Sequence, residues 1–277
     1  MRDLKTKVAV VTGAGSGIGR ATAVALGREG ARVVACDVNA TLVQETVDLI
    51  RAAGNTASAE EVDVSDERAM RSMADRVAAG RGGVDIVVNN AGIAAPTTPA
   101  TELSLENFRK VMEVNFWGTV YGSLFFLPHL LRRPEANLVN VASNSSIMAY
   151  SGMADYTASK FAVRGFTESL RMELAGTAVC ATLVLPGATR TSLMLHSPIM
   201  REEEQRSMQR ILDTSSWARS SEAVADAIRK AILANRPRMI VGLDTYALDA
   251  IVRLFPGRYS QLLAGTVRRT RSKLTQE

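Results

Sequence analysis

The chain has 277 residues, of which 47% are hydrophobic and 22% charged, and its formal net charge is +5. This mixture is typical of a globular protein with enough apolar material for a sizeable core. The basic residues are scattered along most of the chain, which argues against a nucleic-acid-binding protein. The one basic cluster, at positions 268–273, is interpreted as a solvated helix end.

Cysteines, histidines and hydropathy exclude several further classes. Cys36 and Cys180 each lie in an apolar run typical of a buried strand, too isolated for a metal site or disulfide framework, so a cytoplasmic location is expected. His129 and His196 lack partners at metal-ligand spacing, and no metal site is predicted. A strand is predicted almost directly after the first residues, leaving no room for a signal peptide. The longest apolar stretch, 120–131, is too short to span a bilayer.

Short β-branched runs alternate with amphipathic segments through the chain. The predicted strands are 8–11, 32–36, 57–62, 84–88, 137–142, 179–185 and 238–241. The predicted helices are 18–29, 41–53, 66–79 with Ser65 as N-cap, most of 105–131, 153–175, and 221–235 with Ser220 or Ser221 near its N-cap. This alternation predicts an α/β fold: one Rossmann-type domain over residues 1–277, with a doubly wound parallel sheet of about seven strands and helices on both faces.

Two segments do not fit the alternation. Residues 188–216 have little strand character and are predicted to form a substrate loop over the edge of the sheet. Residues 244–277 are predicted to form a C-terminal extension of one or two helices, broken at Pro256 and Gly257. This extension could pack on a neighbouring subunit, cap the substrate cleft or, least favoured, lie on a membrane surface.

A glycine-rich turn follows the first strand and opens the first helix. It reads Thr12-Gly13-Ala14-Gly15-Ser16-Gly17-Ile18-Gly19. Glycine lets the backbone approach a ligand closely, and the free N–H groups of a helix N-terminus suit a pyrophosphate. Asp37 ends the second strand, where a carboxylate accepts hydrogen bonds from a ribose diol and repels a 2′-phosphate. NAD is therefore favoured over NADP, although Arg20 lies nearby in the sequence with a direction that the sequence does not give.

Tyr156 and Lys160 are about one turn apart on a predicted helix and so share a face. An adjacent ammonium is expected to lower the pKa of the tyrosine, which makes the pair a workable general acid and base. Ser143 follows the strand 137–142, at the carboxyl edge of the sheet where ligands bind in such folds. The pair alone is common on amphipathic helices, and it gains weight from the residues around it.

With these residues in view, the chain resembles the short-chain dehydrogenase/reductase family in its short, single-domain form, over about residues 7–242. The resemblance identifies Tyr156-Thr157-Ala158-Ser159-Lys160 as the active-site motif and Ser143 as the serine that positions the substrate oxygen. The neighbouring Ser145 and Ser146 leave open which serine acts, and spacing favours Ser143. The other matching positions are Asp63-Val64 on the adenine side, Asn89-Asn90-Ala91-Gly92 along the cofactor, Asn115 in the proton relay, and Pro186, Gly187 and Thr191 at the nicotinamide.

The resemblance implies an NAD(H)-dependent oxidoreductase that interconverts a secondary alcohol and a ketone. It also implies a homo-tetramer or homodimer built largely from the Tyr156 helix and its neighbour. Segments 94–97, 145–153 and 188–216 are expected to line a largely apolar pocket, with Met194, Met200 and Met208 as pocket or core residues. Trp117 and Trp217 are interpreted as packing residues. The alternative is a non-catalytic NAD(H)-binding sensor or scaffold on the same fold.

Overall fold

The structure is a computed structural model that describes residues 1, 3–191, 193, 197–215 and 217–261. Its strands are β1 (Val8–Thr12), β2 (Arg32–Asp37), β3 (Ala57–Glu61), β4 (Ile86–Asn89), β5 (Ala136–Val141), β6 (Val179–Pro186), β7 (Thr189–Arg190), β8 (Arg219–Ser220) and β9 (Arg238–Val241). Its α-helices are α1 (Gly17–Arg28), α2 (Ala40–Ala52), α3 (Glu67–Arg81), α4 (Leu105–Met112), α5 (Gly118–Leu130), α6 (Ala154–Glu173), α7 (Glu202–Thr214), α8 (Ser221–Leu233) and α9 (Leu243–Leu254).

Seven of the strands form one sheet in the order β3-β2-β1-β4-β5-β6-β9, and every pairing in it is parallel. The predicted doubly wound Rossmann-type α/β fold is therefore confirmed. The order reverses between β1 and β4, since the chain runs outward from β1 to β3 and then returns. Ligands of open α/β sheets bind in the crevice at such a reversal, outside the carboxyl ends of the strands.

Apolar side chains on both faces of the sheet explain why its inner strands β1, β2, β4 and β6 are nearly continuous hydrophobic runs. Alternate residues of β1 point to opposite faces. Ala9 and Val11 pack with α1, α2 and α8 on one side, whereas Val8 and Val10 pack with α3, α5 and α6 on the other. The helices thus cover both faces, and the carboxyl edge is left to the loops.

The structure corrects several details of the sequence prediction. The N-cap of α3 is Asp66, whose carboxylate accepts from Ala69 N at 3.0 Å, and not Ser65, which hydrogen-bonds to Asp63. Segment 188–216 contains helix α7 and the short strand β7, which pairs with β8 in a second sheet. Cys36 is buried as predicted, but Cys180 is only half-buried. Helix α9 ends before Pro256 and Gly257, as expected, and residues 262–277 lie outside the described part of the chain.

The predicted long helix over 105–131 is interrupted. Helices α4 and α5 are joined by a π-helical turn, Glu113–Trp117, with Asn115 buried inside it. Such turns inside α-helices are rare and frequent at functional sites. The side chain of Asn115 is thereby turned toward the loop that follows β4.

A buried polar network ties α5 and α6 to the sheet. The Asn89 amide donates to Ser123 Oγ at 3.1 Å and to Asn140 Oδ1 at 2.9 Å, and Asn140 donates to Thr167 Oγ1 at 3.0 Å. Gly122 leaves room for it, because a Cβ at that position would overlap Asn89 Oδ1.

Replacing Gly122 by alanine should lower the free energy of unfolding by about 1–3 kcal/mol, although alanine is the better helix former, because the added methyl group displaces Asn89. The matched control is Gly80→Ala in α3, where a Cβ would meet no atom within 4 Å. That change should be neutral or stabilise by up to about 1 kcal/mol. Urea unfolding measures both, and equal effects in the two variants would contradict the role of Gly122.

Candidate active site

A cavity of ≈ 700 Å³ lies at the carboxyl edge of the sheet, over the reversal in strand order. All of the predicted site residues except Gly19 and Asn115 line it. These residues are Gly13, Ser16, Gly17, Ile18, Asp37, Asp63, Val64, Asn90, Ala91, Gly92, Ser143, Tyr156, Lys160, Pro186, Gly187 and Thr191. Residues from the loops after the six strands β1 to β6, and from the starts of α1 and α6, are thus brought to one cavity.

The glycine-rich turn after β1 is held against the segment after β4. Gly13 has φ +64° and Gly17 has φ +51°, values that suit glycine. A Cβ on Gly13 would lie 2.8 Å from Ala91 Cα, and one on Gly19 would overlap Gly13 O. Gly19 does not line the cavity. Its lack of a side chain instead allows α1 to pack closely against the turn.

The N-terminus of α1 faces the cavity with free backbone donors. Ser16 is the N-cap, but its side chain makes no capping hydrogen bond, and the first turn of α1 has no acidic residue. Ser16, Gly17 and Ile18 all line the cavity. Unpaired N–H groups and the helix dipole make this end an anion-binding position.

Asp37 lies at the opposite side of the turn. Its Oδ2 accepts from Gly15 N at 2.8 Å, and its Oδ1 accepts from Asn39 N at 3.0 Å. Arg20, the nearby cation, points elsewhere: its guanidinium donates to Glu45 at 2.9 Å and to Leu42 O at 3.2 Å. Asp37 therefore presents a negative charge to this part of the cavity, and Arg20 does not neutralise it.

Two asparagines fix the loop that follows β4. The Asn90 amide donates to Thr12 O at 3.0 Å, which ties this loop to the glycine-rich turn. Asn115 is fully buried behind the cavity, where its Oδ1 accepts from Ile93 N at 2.7 Å and its Nδ2 donates to Ile93 O and to Ser159 Oγ. Gly92 separates Asn115 from Lys160, since a Cβ on it would lie 3.0 Å from Asn115 Oδ1 and 3.5 Å from Lys160 Nζ.

Tyr156 and Lys160 lie on the first turns of α6, beside Ser143. The hydroxyl of Tyr156 lies near Ser143. Burial raises the pKa of Tyr156, and the polar side chain of Ser143 offsets this increase only in part. The expected lowering of this pKa by Lys160 is not found, because the ammonium nitrogen lies 5.7 Å from the ring centroid and is itself buried.

Lys160 is anchored away from water. Its Nζ donates to Val141 O at 3.2 Å, and burial lowers its pKa to about 8. A group with this pKa exchanges a proton readily near neutral pH. Its position links the carboxyl end of β5, the Tyr156 ring and the Gly92 loop.

The structure distinguishes the three neighbouring serines. Ser143 lies near the Tyr156 hydroxyl, and its Oγ accepts from Ser145 N at 3.1 Å and donates to Asn144 Oδ1 at 3.1 Å. Ser146 is fully buried and donates to Ser143 O. Ser145 lines the cavity but shows no hydrogen bond to Tyr156 among the described residues. Ser143 is therefore the serine placed to act with the tyrosine.

Several cavity residues were not predicted individually. They are Val38, Asn39, Leu42, Val62, Ile93, Ala94, Lys110, Val114, Val141, Ala142, Asn144, Ser145, Tyr150, Met153, Ala188, Thr189, Leu193, Pro198, Leu212 and Trp217. Trp217, interpreted from sequence as a packing residue, is 55% exposed and lines the cavity, so that interpretation was wrong. Met200 is a buried core residue and Met208 does not line the cavity, while Met194 and His196 lie outside the described residues.

Within residues 1–261, leaving aside 2, 192, 194–196 and 216, no three His, Cys, Asp or Glu side chains are grouped to hold a metal ion. In the same part of the chain, no helix is both long and apolar enough to cross a membrane.

Comparison with known proteins agrees with this geometry. The family model described as short chain dehydrogenase matches residues 7–201. The putative oxidoreductase SadH of Mycobacterium tuberculosis is 35% identical over 269 residues, covering 96% of this chain and 97% of its own.

The 1-deoxy-11-beta-hydroxypentalenate dehydrogenase of Streptomyces exfoliatus is 38% identical over 193 residues, covering 69% of this chain and 70% of its own. A crystal structure of a short-chain dehydrogenase/reductase from Burkholderia phymatum in complex with NAD has a TM-score of 0.84 at 30% identity, covering 92% of this chain and 95% of that one. By sequence, by fold and by the residues gathered in its cavity, this chain belongs to the short-chain dehydrogenase/reductase family of oxidoreductases.

Proposed function

We propose that this protein is an NAD(H)-dependent oxidoreductase that interconverts a secondary alcohol and a ketone, with a hydrophobic substrate. The observation that supports this most is the grouping of Ser143, Tyr156 and Lys160 in the same cavity as a glycine-rich turn and Asp37. A hydride transfer from a carbinol needs a proton acceptor for the hydroxyl, and the Tyr156 phenol is placed to serve as one.

The residues of the cavity fit a dinucleotide. The backbone of Gly13 and the free N–H groups at the start of α1 would hold the pyrophosphate, because side chains are excluded there. Asp37 would hold the adenosine ribose, with Asp63 and Val64 beside the adenine. Pro186, Gly187 and Thr191 would contact the nicotinamide. When bound, the dinucleotide supplies the acceptor for the hydride.

NAD is preferred over NADP in this proposal. Asp37 would repel a 2′-phosphate, and the Arg20 guanidinium is held by Glu45 and Leu42 O, so it is not available as a phosphate partner. The related Burkholderia phymatum structure is a complex with NAD.

Each catalytic side chain has a separate role. Ser143 would hold the substrate oxygen, and Tyr156 would accept the hydroxyl proton in oxidation and return it in reduction. Lys160 would stabilise the phenolate as an ammonium and bind the nicotinamide ribose. Asn115, fixed to Ile93 and Ser159, would position a water molecule that carries the proton onward from Lys160.

The substrate end of the cavity supports a hydrophobic alcohol. Met153, Leu193, Pro198, Leu212 and Trp217 line it. An apolar pocket with few polar groups favours a largely hydrocarbon ligand oriented by its reacting oxygen.

A non-catalytic NAD(H)-binding sensor or scaffold is the alternative. The presence of the whole Ser143, Tyr156, Lys160 and Asn115 set favours catalysis, because a protein that only binds the dinucleotide needs no proton acceptor. Tight NADH binding without oxidation of any member of a broad alcohol panel would favour the sensor.

A homo-oligomer is part of the proposal. An aromatic ladder of Trp117, Tyr121 and Phe125 stacks with centroid distances of 5.8 and 5.7 Å, and Trp117 and the nearby Leu124 are each 45% exposed. An exposed apolar stripe of this kind supports contact between subunits. Light scattering that gives the mass of one chain would contradict the homo-oligomer.

We also propose a cytoplasmic location and one domain over residues 1–277. Most of the described elements belong to the seven-stranded sheet or pack on its two faces, which supports a single domain.

Tyr156→Phe should lower kcat by about 10²–10⁴-fold with little change in the Kd for NADH, because it removes the proton acceptor and keeps the ring. Alcohol oxidation is followed by NADH absorbance, and NADH binding by fluorescence titration. Tyr246→Phe is the matched control, since Tyr246 is 52% exposed on α9. Retained turnover in Tyr156→Phe would rule out the mechanism.

Asp37→Ser should raise the ratio of kcat/KM with NADP to kcat/KM with NAD by about tenfold or more, because it removes the charge that repels a 2′-phosphate. Asp48→Asn makes the same change in net charge at an exposed position of α2 and should leave the ratio unchanged. An unchanged ratio in Asp37→Ser would show that Asp37 does not select the dinucleotide.

The buried Lys160 should make stability depend on pH. Its pKa of about 8 in the folded state lies below the ordinary lysine value of 10.5, so between these values the unfolded chain binds the extra proton. The free energy of unfolding should therefore rise between pH 8 and pH 10 more in the wild type than in Lys160→Met. Urea unfolding at both pH values measures this. A difference between the two proteins that does not vary with pH would contradict it.

A further inference from the structure

Helix α9 begins directly behind the candidate nicotinamide turn. A Cβ on Gly187 would lie 2.7 Å from one carboxylate oxygen of Asp244, 3.3 Å from the other, and 2.5 Å from Thr245 Oγ1. The Gly187 N–H donates to Val241 O at 3.0 Å, so the turn and the start of α9 are held together. Gly187 lines the cavity, whereas Asp244 stands one layer behind it.

The same carboxylate is close to the substrate end of the cavity. Tyr150 lines that end and lies near Asn144. Burial raises the pKa of Tyr150 to about 12, and the negative charge of Asp244 contributes to the increase. Asp244 therefore lies against one lining residue, Gly187, and its charge acts on a second, Tyr150, in a different segment of the cavity wall.

No cation offsets this charge within the part of the chain that the structure describes. Asp244 is half-buried and makes no hydrogen bond or ion pair with another described side chain there, unlike Asp249 on the same helix, which pairs with Arg238 and Arg253. Of the described lining residues, only Lys110 and Lys160 are basic. Lys110 lies on α4, and Lys160 belongs to the proposed reacting groups, so neither is a dedicated partner for a substrate carboxylate.

We propose that Asp244 is a specificity-determining residue, whose negative charge behind Gly187 and Tyr150 makes the enzyme select uncharged alcohols and ketones over hydroxy acids and keto acids of the same shape. This inference rests on the proposed function and narrows its substrate class. Like charges at a partly buried site repel strongly enough to discriminate between such substrates, because screening by solvent and salt is reduced there.

The test compares two alcohols that differ in charge and little in shape, trans-4-hydroxycyclohexanecarboxamide and trans-4-hydroxycyclohexanecarboxylate. Oxidation is measured at pH 7.5, low ionic strength and saturating NAD. The ratio of kcat/KM for the carboxylate to kcat/KM for the amide should rise about tenfold in Asp244→Asn and further in Asp244→Lys. Raising the salt concentration should reduce both increases.

The control is Asp48→Asn, which removes one negative charge from an exposed position and should leave the ratio unchanged. A purely structural role for Asp244 would lower both specificity constants together, and an unchanged ratio in both Asp244 variants would overturn the inference while amide oxidation still supported the proposed function. If the wild type oxidises neither alcohol, the ratio of their Kd values in the NADH complex, measured by calorimetry, tests the same inference. An unchanged Kd ratio in Asp244→Asn and Asp244→Lys would overturn it.

Discussion

The contact between the turn after β1 and the segment after β4 is the constraint on which the rest of the site depends. Two adjacent parallel strands end there side by side, and their loops approach to backbone contact at Gly13 and Ala91. Thr12 Oγ1 accepts from both Asn90 N and Ala91 N, at 3.0 and 3.1 Å, and the Asn90 amide returns a bond to Thr12 O. Because these groups satisfy one another, the helix start that follows is free to offer its own N–H groups to a ligand.

Burial is the second organising effect, and it works on the proton-transfer groups in opposite directions. It disfavours the charged form of each group, so it raises the pKa of Tyr156 and lowers that of Lys160 toward 8. Burial thereby moves the two pKa values apart, although the ordinary values of a tyrosine and a lysine, 10.0 and 10.5, lie close together. The side chain of Ser143 near Tyr156 and the carbonyl of Val141, which accepts from Lys160 Nζ, are the polar groups that offset part of this desolvation.

The sequence predicted the fold and most of the cavity because both depend on local patterns. Buried parallel strands appear as β-branched runs, and the glycine-rich turn and the Tyr156 helix have short, ordered motifs. The sequence did not predict the π-helical turn at Asn115, since nothing in 105–131 marks a change in helical hydrogen bonding. It also missed Trp217, which lines the cavity, and Asp244, which lies behind Gly187, because both are brought there only by tertiary packing of segments far apart in the chain. The sequence also predicted a lowered pKa for Tyr156, and this was wrong. Burial raises that pKa, and burial is a property of the folded molecule.

The pairing of Arg20 with Glu45 has an evolutionary consequence. Arg20, a cation of the kind that binds a 2′-phosphate, already lies next to the glycine-rich turn. Its guanidinium pairs instead with the exposed carboxylate of Glu45 on α2 and donates to Leu42 O. Under the proposed preference for NAD, the choice between the two dinucleotides depends on a few side chains of the α1–α2 surface rather than on the architecture of the sheet. Homologues in which Glu45 and Asp37 have both drifted to neutral residues are where a shift of coenzyme would first become visible, with the catalytic end of the cavity left intact.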